Sequence, residues 1–373
     1  MSSLEHHLQT EIERSLSMDP SLPGIVATVL APSSGFAWSG ACGRVQFDGE
    51  PLRPEHAFRI ASVTKVFTAA TVLRLVEQGR LALQDRLVDR LGRRSVELLA
   101  AAGYAPERIG LFDLLTHTAG LPDHASSEAY ARALQADPQR RWTRHEQIEL
   151  AMQLGGPLAE PGRLFSYSDT GYLLLGESIE RASGQPLPQA MRERLAFSRL
   201  GLDQTHFETL EAAPAGQPRA HQYIGAWDAL QIDASCDLYG GGGLVSTTRE
   251  LAVFLRALLR GELFERAQTL AMALMTPTVG FADGAFLHSA LLRGRIWGGM
   301  PCWGHGGYWG MGAAYFPTHD LALAVSWGQA ESAAHTAGTP EQAGLMDRLA
   351  ALCAKGIGEQ FGLRPVRQEQ AAP

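Results

Sequence analysis

Strand-forming residues gather at the two ends of this chain while its middle is helical, and that distribution constrains the fold more than any single motif. Residues 24–30 and 35–41 are β-prone and flank Ala31-Pro32-Ser33-Ser34, the polar turn of a hairpin. Residues 98–275 read as helices and loops, with helical apolar spacing over 147–153, 172–182 and 248–259. After residue 278 the texture changes to short apolar and aromatic runs broken by glycine, clearest at 312–316 and 321–327, followed by an amphipathic helix over 341–359. Another such helix spans 4–16, with Leu4, Leu8, Ile12 and Leu16 at helical spacing. The expectation is a single 1–373 domain in which an α/β lobe, 1–97 with 276–373, holds an inserted helical lobe, 98–275, with the site in the crevice between them.

Composition excludes several classes of function. With 45% hydrophobic and 19% charged residues, the 373-residue chain has the make-up of a globular protein with a large core. Its formal charge of -7 lacks the basic excess that a nucleic-acid surface needs. Residues 1–23 include Glu5, Glu11 and Glu13 and no unbroken apolar run, so they do not read as a signal peptide or membrane anchor, and a cytoplasmic location is expected. Cys42, Cys236, Cys302 and Cys353 are widely spaced, a pattern of reduced structural thiols rather than of a zinc site or disulfide framework. Neither a cofactor nor a metal is expected, and nothing in the sequence sets an oligomeric state. No G-x-S-x-G elbow or H-E-x-x-H occurs, and Tyr239-Gly240-Gly241-Gly242-Gly243 lacks the Gly-Lys-Ser/Thr of a phosphate loop, which leaves it as a tight turn.

The chemistry starts at Ser62-Val63-Thr64-Lys65. Apolar positions Val63, Val66, Phe67, Ala70, Leu73 and Val76 predict a buried helix that runs from Ser62 to a C-cap at Gly79. A three-residue step at its start puts a hydroxyl and an amine on one face, beside free N–H groups suited to a developing oxyanion. An N-cap serine followed by a solvated lysine has the same spacing. Lysine usage favours chemistry: of 32 basic residues only Lys65 and Lys355 are lysines, and a guanidinium cannot serve as a general base whereas a desolvated amine can.

Two more constellations follow. Tyr167-Ser168-Asp169 comes after the turn Pro161-Gly162 and before a helix, where Ser168 or Asp169 can cap and Tyr167 can either enter a cleft or join the core. Trp303-Gly304-His305-Gly306-Gly307-Tyr308 sets one imidazole among glycines, where a backbone can approach a ligand closely, although a hydrogen-bonded core histidine fits the same residues.

In this order the three segments resemble those of the β-lactamase-related serine hydrolases, which include class C β-lactamases, penicillin-binding DD-peptidases, D-aminopeptidases and a branch of carboxylesterases. Residues 58–65 look like the family's first motif, Tyr167-Ser168-Asp169 like its Y-x-N element and His305-Gly306-Gly307 like its K-T-G element, and residues 114–122 and 241–247 look like further landmarks. The resemblance implies an antiparallel sheet flanked by helices with an inserted all-helical lobe. It also implies a Ser62 nucleophile, proton work shared by Lys65 and Tyr167, a water-hydrolysed acyl-enzyme, and an oxyanion hole from the backbone N–H groups of Ser62 and Tyr308.

The departures from the family pattern fall on the substrate side. Asp169 stands in place of Asn and would favour a charged Lys65, which moves proton transfer toward Tyr167. His305 is a weaker cation than lysine, and Gly306 lacks the threonine hydroxyl, so capture of a substrate carboxylate is weakened. The expectation is a small-molecule ester substrate, with Asp169, His305, Gly307 and Tyr308 on the substrate side and an acyl pocket or strand-core packing formed by Trp297, Trp303, Tyr308 and Trp309. A D-amino-acid amide is the alternative, since Asp169 could hold its ammonium. β-Lactamase or DD-peptidase activity and a non-catalytic binding module are the remaining readings.

Overall fold

The computed structural model describes residues 3–275, 287–330 and 340–361; residues 276–286, at the start of the C-terminal segment, lie outside it, as do 331–339. Twelve strands occur among the described residues: β1 Gly24–Ala31, β2 Phe36–Gly43, β3 Phe58–Arg59, β4 His206–Phe207, β5 Tyr223–Ile224, β6 Trp227–Asp228, β7 Leu244–Ser246, β8 Leu287–His288, β9 Arg293–Trp297, β10 Met300–Gly307, β11 Met311–Phe316 and β12 Leu321–Ser326. Seven of them form an antiparallel sheet in the order β2-β1-β12-β11-β10-β9-β8. The first strands thus pair with the last: Val26 lies opposite Ser326 and Leu30 opposite Ala322.

Strand alternation assigns each face of this sheet to its own core. On one face Ile25, Val29, Leu321, Leu323 and Val325 pack with Leu4, Leu8 and Ile12 of the N-terminal helix Ser3–Met18 and with Leu345, Leu349 and Cys353 of the C-terminal helix Pro340–Phe361. On the other, Met311, Ala313, Ala322 and Ala324 meet Leu251, Phe254 and Leu255 of the helix Thr248–Leu259. Small alanines on that side of β12 let the helix come close. Phe254 stacks on Phe67 with 3.6 Å between ring centroids, which ties the sheet to the helix Thr64–Glu77.

The helix Thr64–Glu77 is the hub of the interior, with every residue except Arg74 and Val76 buried. Apolar side chains surround it on all sides, so it has no solvent face. It packs against the helices Asp169–Ser183 and Leu187–Arg194 from the middle of the chain. That middle is mainly helical but also carries β4 to β7; β3, β7 and β4 form a small antiparallel sheet, and β5 pairs with β6. All four cysteines are free thiols. No described helix is long and apolar enough to cross a membrane.

Candidate active site

Ser62 lies on a tight 3-10 turn, Ala61–Val63, that feeds directly into the helix Thr64–Glu77. The turn is forced: Ala61 has φ of 44°, a left-handed conformation that costs an alanine energy. Neighbouring backbone holds it, because the Ile60 N–H donates to the Leu244 carbonyl at 2.9 Å and the Leu244 N–H donates to the Thr64 hydroxyl at 3.3 Å. Upstream, the buried Arg59 guanidinium donates to the carbonyls of Ala229 and Ile232 and pairs with Glu208 at 2.7 Å.

Lys65 comes one turn later and is 1% exposed. Its amine donates to Ser62 Oγ at 3.1 Å and to the Gly241 carbonyl at 2.7 Å, and it forms an ion pair with Asp169. The rings of Tyr167 and Tyr172 lie 5.2 and 5.6 Å from the amine. Burial alone would depress the lysine pKa, but the facing Asp169 carboxylate, followed by Tyr167, reverses this and lifts it above the ordinary lysine range. Lys65 is therefore held as an ammonium.

Tyr167 precedes the helix Asp169–Ser183, which Ser168 caps by accepting from the Gly171 N–H. The capping and the cleft-facing roles thus fall on different residues of one tripeptide. The phenol hydrogen-bonds with Ser62, and burial raises its pKa despite the opposing pull of Lys65, Arg293 and this hydrogen bond. His117 fixes the loop, because its Nδ1 accepts from the Ser168 N–H at 3.1 Å while its ring stacks on Tyr167 at 4.3 Å.

The third segment lies on β10 beside the nucleophile turn. A Cβ on Gly307 would collide with the Ile60 carbonyl, so glycine there sets how closely the strand and turn approach. His305 is 5% exposed, with Nδ1 2.7 Å from the Gly306 carbonyl and its ring 6.4 Å from that of Tyr167. Tyr308 is exposed and makes an edge contact with Trp309 at 5.2 Å.

The four aromatics near this segment do not form one pocket. Trp297 packs with the core on the far face of the sheet, Trp303 packs with the interior core, and Trp309 belongs to a third cluster with Trp142 and Tyr130. Pleating sends Trp297 and Trp303 to opposite faces of the sheet, while Trp309 lies in the turn between β10 and β11.

Several residues at the site carried no local signal in the sequence. Gln222, buried in a loop, accepts from the Arg59 N–H at 2.8 Å and donates to the carbonyls of Arg59 and Trp309, each at 2.9 Å, which couples the strand before Ser62 to the turn after His305. Two further carboxylates join Asp169 near Lys65. Burial, then repulsion from Asp169, raises Asp123 to about 6 and Asp237 to about 7. Asp123 accepts from the Asp169 N–H at 3.1 Å, and Asp237 accepts from the Trp309 indole at 3.1 Å. Gly242 leaves room for Asp237, since a Cβ there would overlap its carboxylate. Arg293 of β9 sets its guanidinium 5.2 Å from the centroid of the Tyr167 ring. Among the described residues no group of three or more His, Cys, Asp and Glu side chains is arranged to hold a metal ion.

Comparison with known proteins agrees with this arrangement. Residues 17–345 match the Beta-lactamase family. The D-alanyl-D-alanine-carboxypeptidase/endopeptidase AmpH of Escherichia coli K12 is 25% identical over 221 residues, which are 59% of this chain and 54% of that protein. The chain spans about half the length of this curated relative. Among solved structures, the D-amino acid amidase of Ochrobactrum anthropi SV3 superposes with a TM-score of 0.81 at 22% identity, covering 95% of this chain and 100% of that one. EstCE1, described as a hydrolase with promiscuous acyltransferase activity, gives 0.73 at 21% identity, covering 94% and 98%. These likenesses fix the fold, and the match over residues 17–345 shows that the chain belongs to the β-lactamase family.

Proposed function

We propose that this chain is a serine hydrolase that acts through a covalent acyl-enzyme on small acyl esters. One observation carries the reading: the Ser62 hydroxyl, the Lys65 ammonium and the Tyr167 phenol meet at the start of a buried helix. With Lys65 charged by Asp169, proton transfer falls mainly to Tyr167. The Ser62 oxygen attacks the substrate carbonyl carbon as its proton passes to Tyr167 in the phenolate form, and Lys65 stabilises the charge on that phenolate. The backbone N–H groups of Ser62 and Tyr308 receive the oxyanion. Collapse breaks the carbon–oxygen bond of the ester, Tyr167 returns the proton to the departing alcohol, and water then hydrolyses the acyl group from Ser62.

Esters suit this site because an alkoxide leaves more readily than an amide nitrogen, so less base strength is required of a serine whose lysine neighbour is locked as a cation. A second reading, hydrolysis of D-amino-acid amides, draws on Asp123, Asp169 and Asp237, whose negative charge near Ser62 suits an ammonium-bearing substrate. The fold likeness to the Ochrobactrum amidase supports the same reading. Side-by-side rates on short p-nitrophenyl esters and D-amino-acid amides decide between the two. Intact-mass measurement after fluorophosphonate treatment tests both: a single adduct that disappears in Ser62→Ala is expected, and an unmodified folded protein would instead favour a binding module.

A further inference from the structure

We infer that Arg293 is the cation that tunes the proton-carrying phenol, as a positioning residue. This rests on the proposed reading of Tyr167 as the proton carrier. Arg293 sits on β9 directly across from Gly304, the neighbour of His305, and its guanidinium lies 5.2 Å from the centroid of the Tyr167 ring. Among the described residues no carboxylate forms a salt bridge with it. A guanidinium over an aromatic face is held by the ring and, in a site with little water, acts strongly on charge that develops at the phenol oxygen.

Besides Arg293, the groups that face Tyr167 come from five elements. Lys65 and Ser62 approach from the nucleophile turn and its helix, and Asp169 and Tyr172 from the helix that follows the tyrosine. His117 stacks on one side of the ring, and His305 of β10 lies 6.4 Å away. Lys65 is already paired with Asp169, whereas among the described residues Arg293 faces the phenol without an ion-pair partner. His305, by contrast, is charged only when it is protonated. A phenol without Arg293 would ionise at higher pH, and a Ser62 proton would then find its acceptor in the phenolate form less often.

The test compares Arg293→Met and Arg293→Lys with the wild type. In the methionine variant the rising limb of kcat/KM against pH should move upward by about one unit or more, so that activity at neutral pH falls roughly tenfold while the gap narrows in alkali. The lysine variant should recover most of the wild-type profile. Near-ultraviolet titration of tyrosinate, with Tyr167→Phe as the subtraction standard, should show the same displacement. Because that titration needs no turnover, it fails or succeeds independently of the hydrolase reading. An unshifted profile with uniformly lower kcat would overturn the inference, as would a loss confined to KM for carboxylate-bearing esters, which would make Arg293 a substrate anchor.

Discussion

The core between the sheet and the terminal helices and the cluster around Lys65 are buried to the same degree by opposite means. Leu323, Leu349 and Cys353 are fully covered and Lys65 is 1% exposed. In the first region burial itself stabilises, at about 1.5–3 kcal/mol for each large apolar side chain. In the second, burial disfavours every charge, and pairing, above all that of Lys65 with Asp169 and with the Gly241 carbonyl, offsets the cost. One region is therefore sensitive to volume and indifferent to pH; the other is sensitive to charge, and its stability and chemistry are governed by the same groups.

Substitutions can break this contrast at several strengths. The largest effect is expected at Ser62→Ala, where kcat should fall by about 10³ or more while the melting temperature stays near that of the wild type; retained turnover would remove Ser62 from the account. Leu323→Ala should cost about 2–5 kcal/mol of unfolding free energy in denaturant titration without changing kcat per folded molecule. Asp169→Asn should cost roughly 1–3 kcal/mol by leaving a buried ammonium without its carboxylate. In that variant the Asp169 charge that raises the Tyr167 pKa is gone, so the rising limb of the rate profile should move to lower pH, and an identical profile would show that the carboxylate does not govern the phenol.

The smallest effect is expected at Asp237→Asn. The Asp237 pKa of about 7 in the folded state lies above the usual carboxylate value near ~4, so the folded chain binds this proton more tightly than the unfolded one. Its contribution to stability therefore declines as pH rises through the interval between those two values. The asparagine variant should lose this slope, and thermal melts across that interval would contradict the assignment if both proteins declined alike.

Local periodicity carried much of the architecture. The helix Thr248–Leu259 has the bounds its apolar spacing gives, the terminal helices extend one to two residues beyond theirs, and β11 and β12 coincide with their apolar runs to within a residue. Strands β3 to β7 left no trace, because runs of two or three residues are too short to show an alternation. At the site, Ser62 and Lys65 were legible from one helical turn and Tyr167 from its family tripeptide. Asp123, Gln222, Asp237 and Arg293 were not, since each reaches the cluster through tertiary folding from a segment whose own pattern is unremarkable. Trp297, Trp303 and Trp309, left open by the sequence between an acyl pocket and strand-core packing, divide among three packing clusters.

The pairing of β1 with β12 also governs how the molecule is made. Ile25 and its neighbours wait for partners that leave the ribosome about 300 residues later, roughly 15–60 s at ordinary rates of synthesis. Throughout that interval the hairpin of β1 and β2 presents an unsatisfied, highly apolar edge. Capture by a chaperone, or a pause in translation, would act on this edge well before the nucleophile turn is complete.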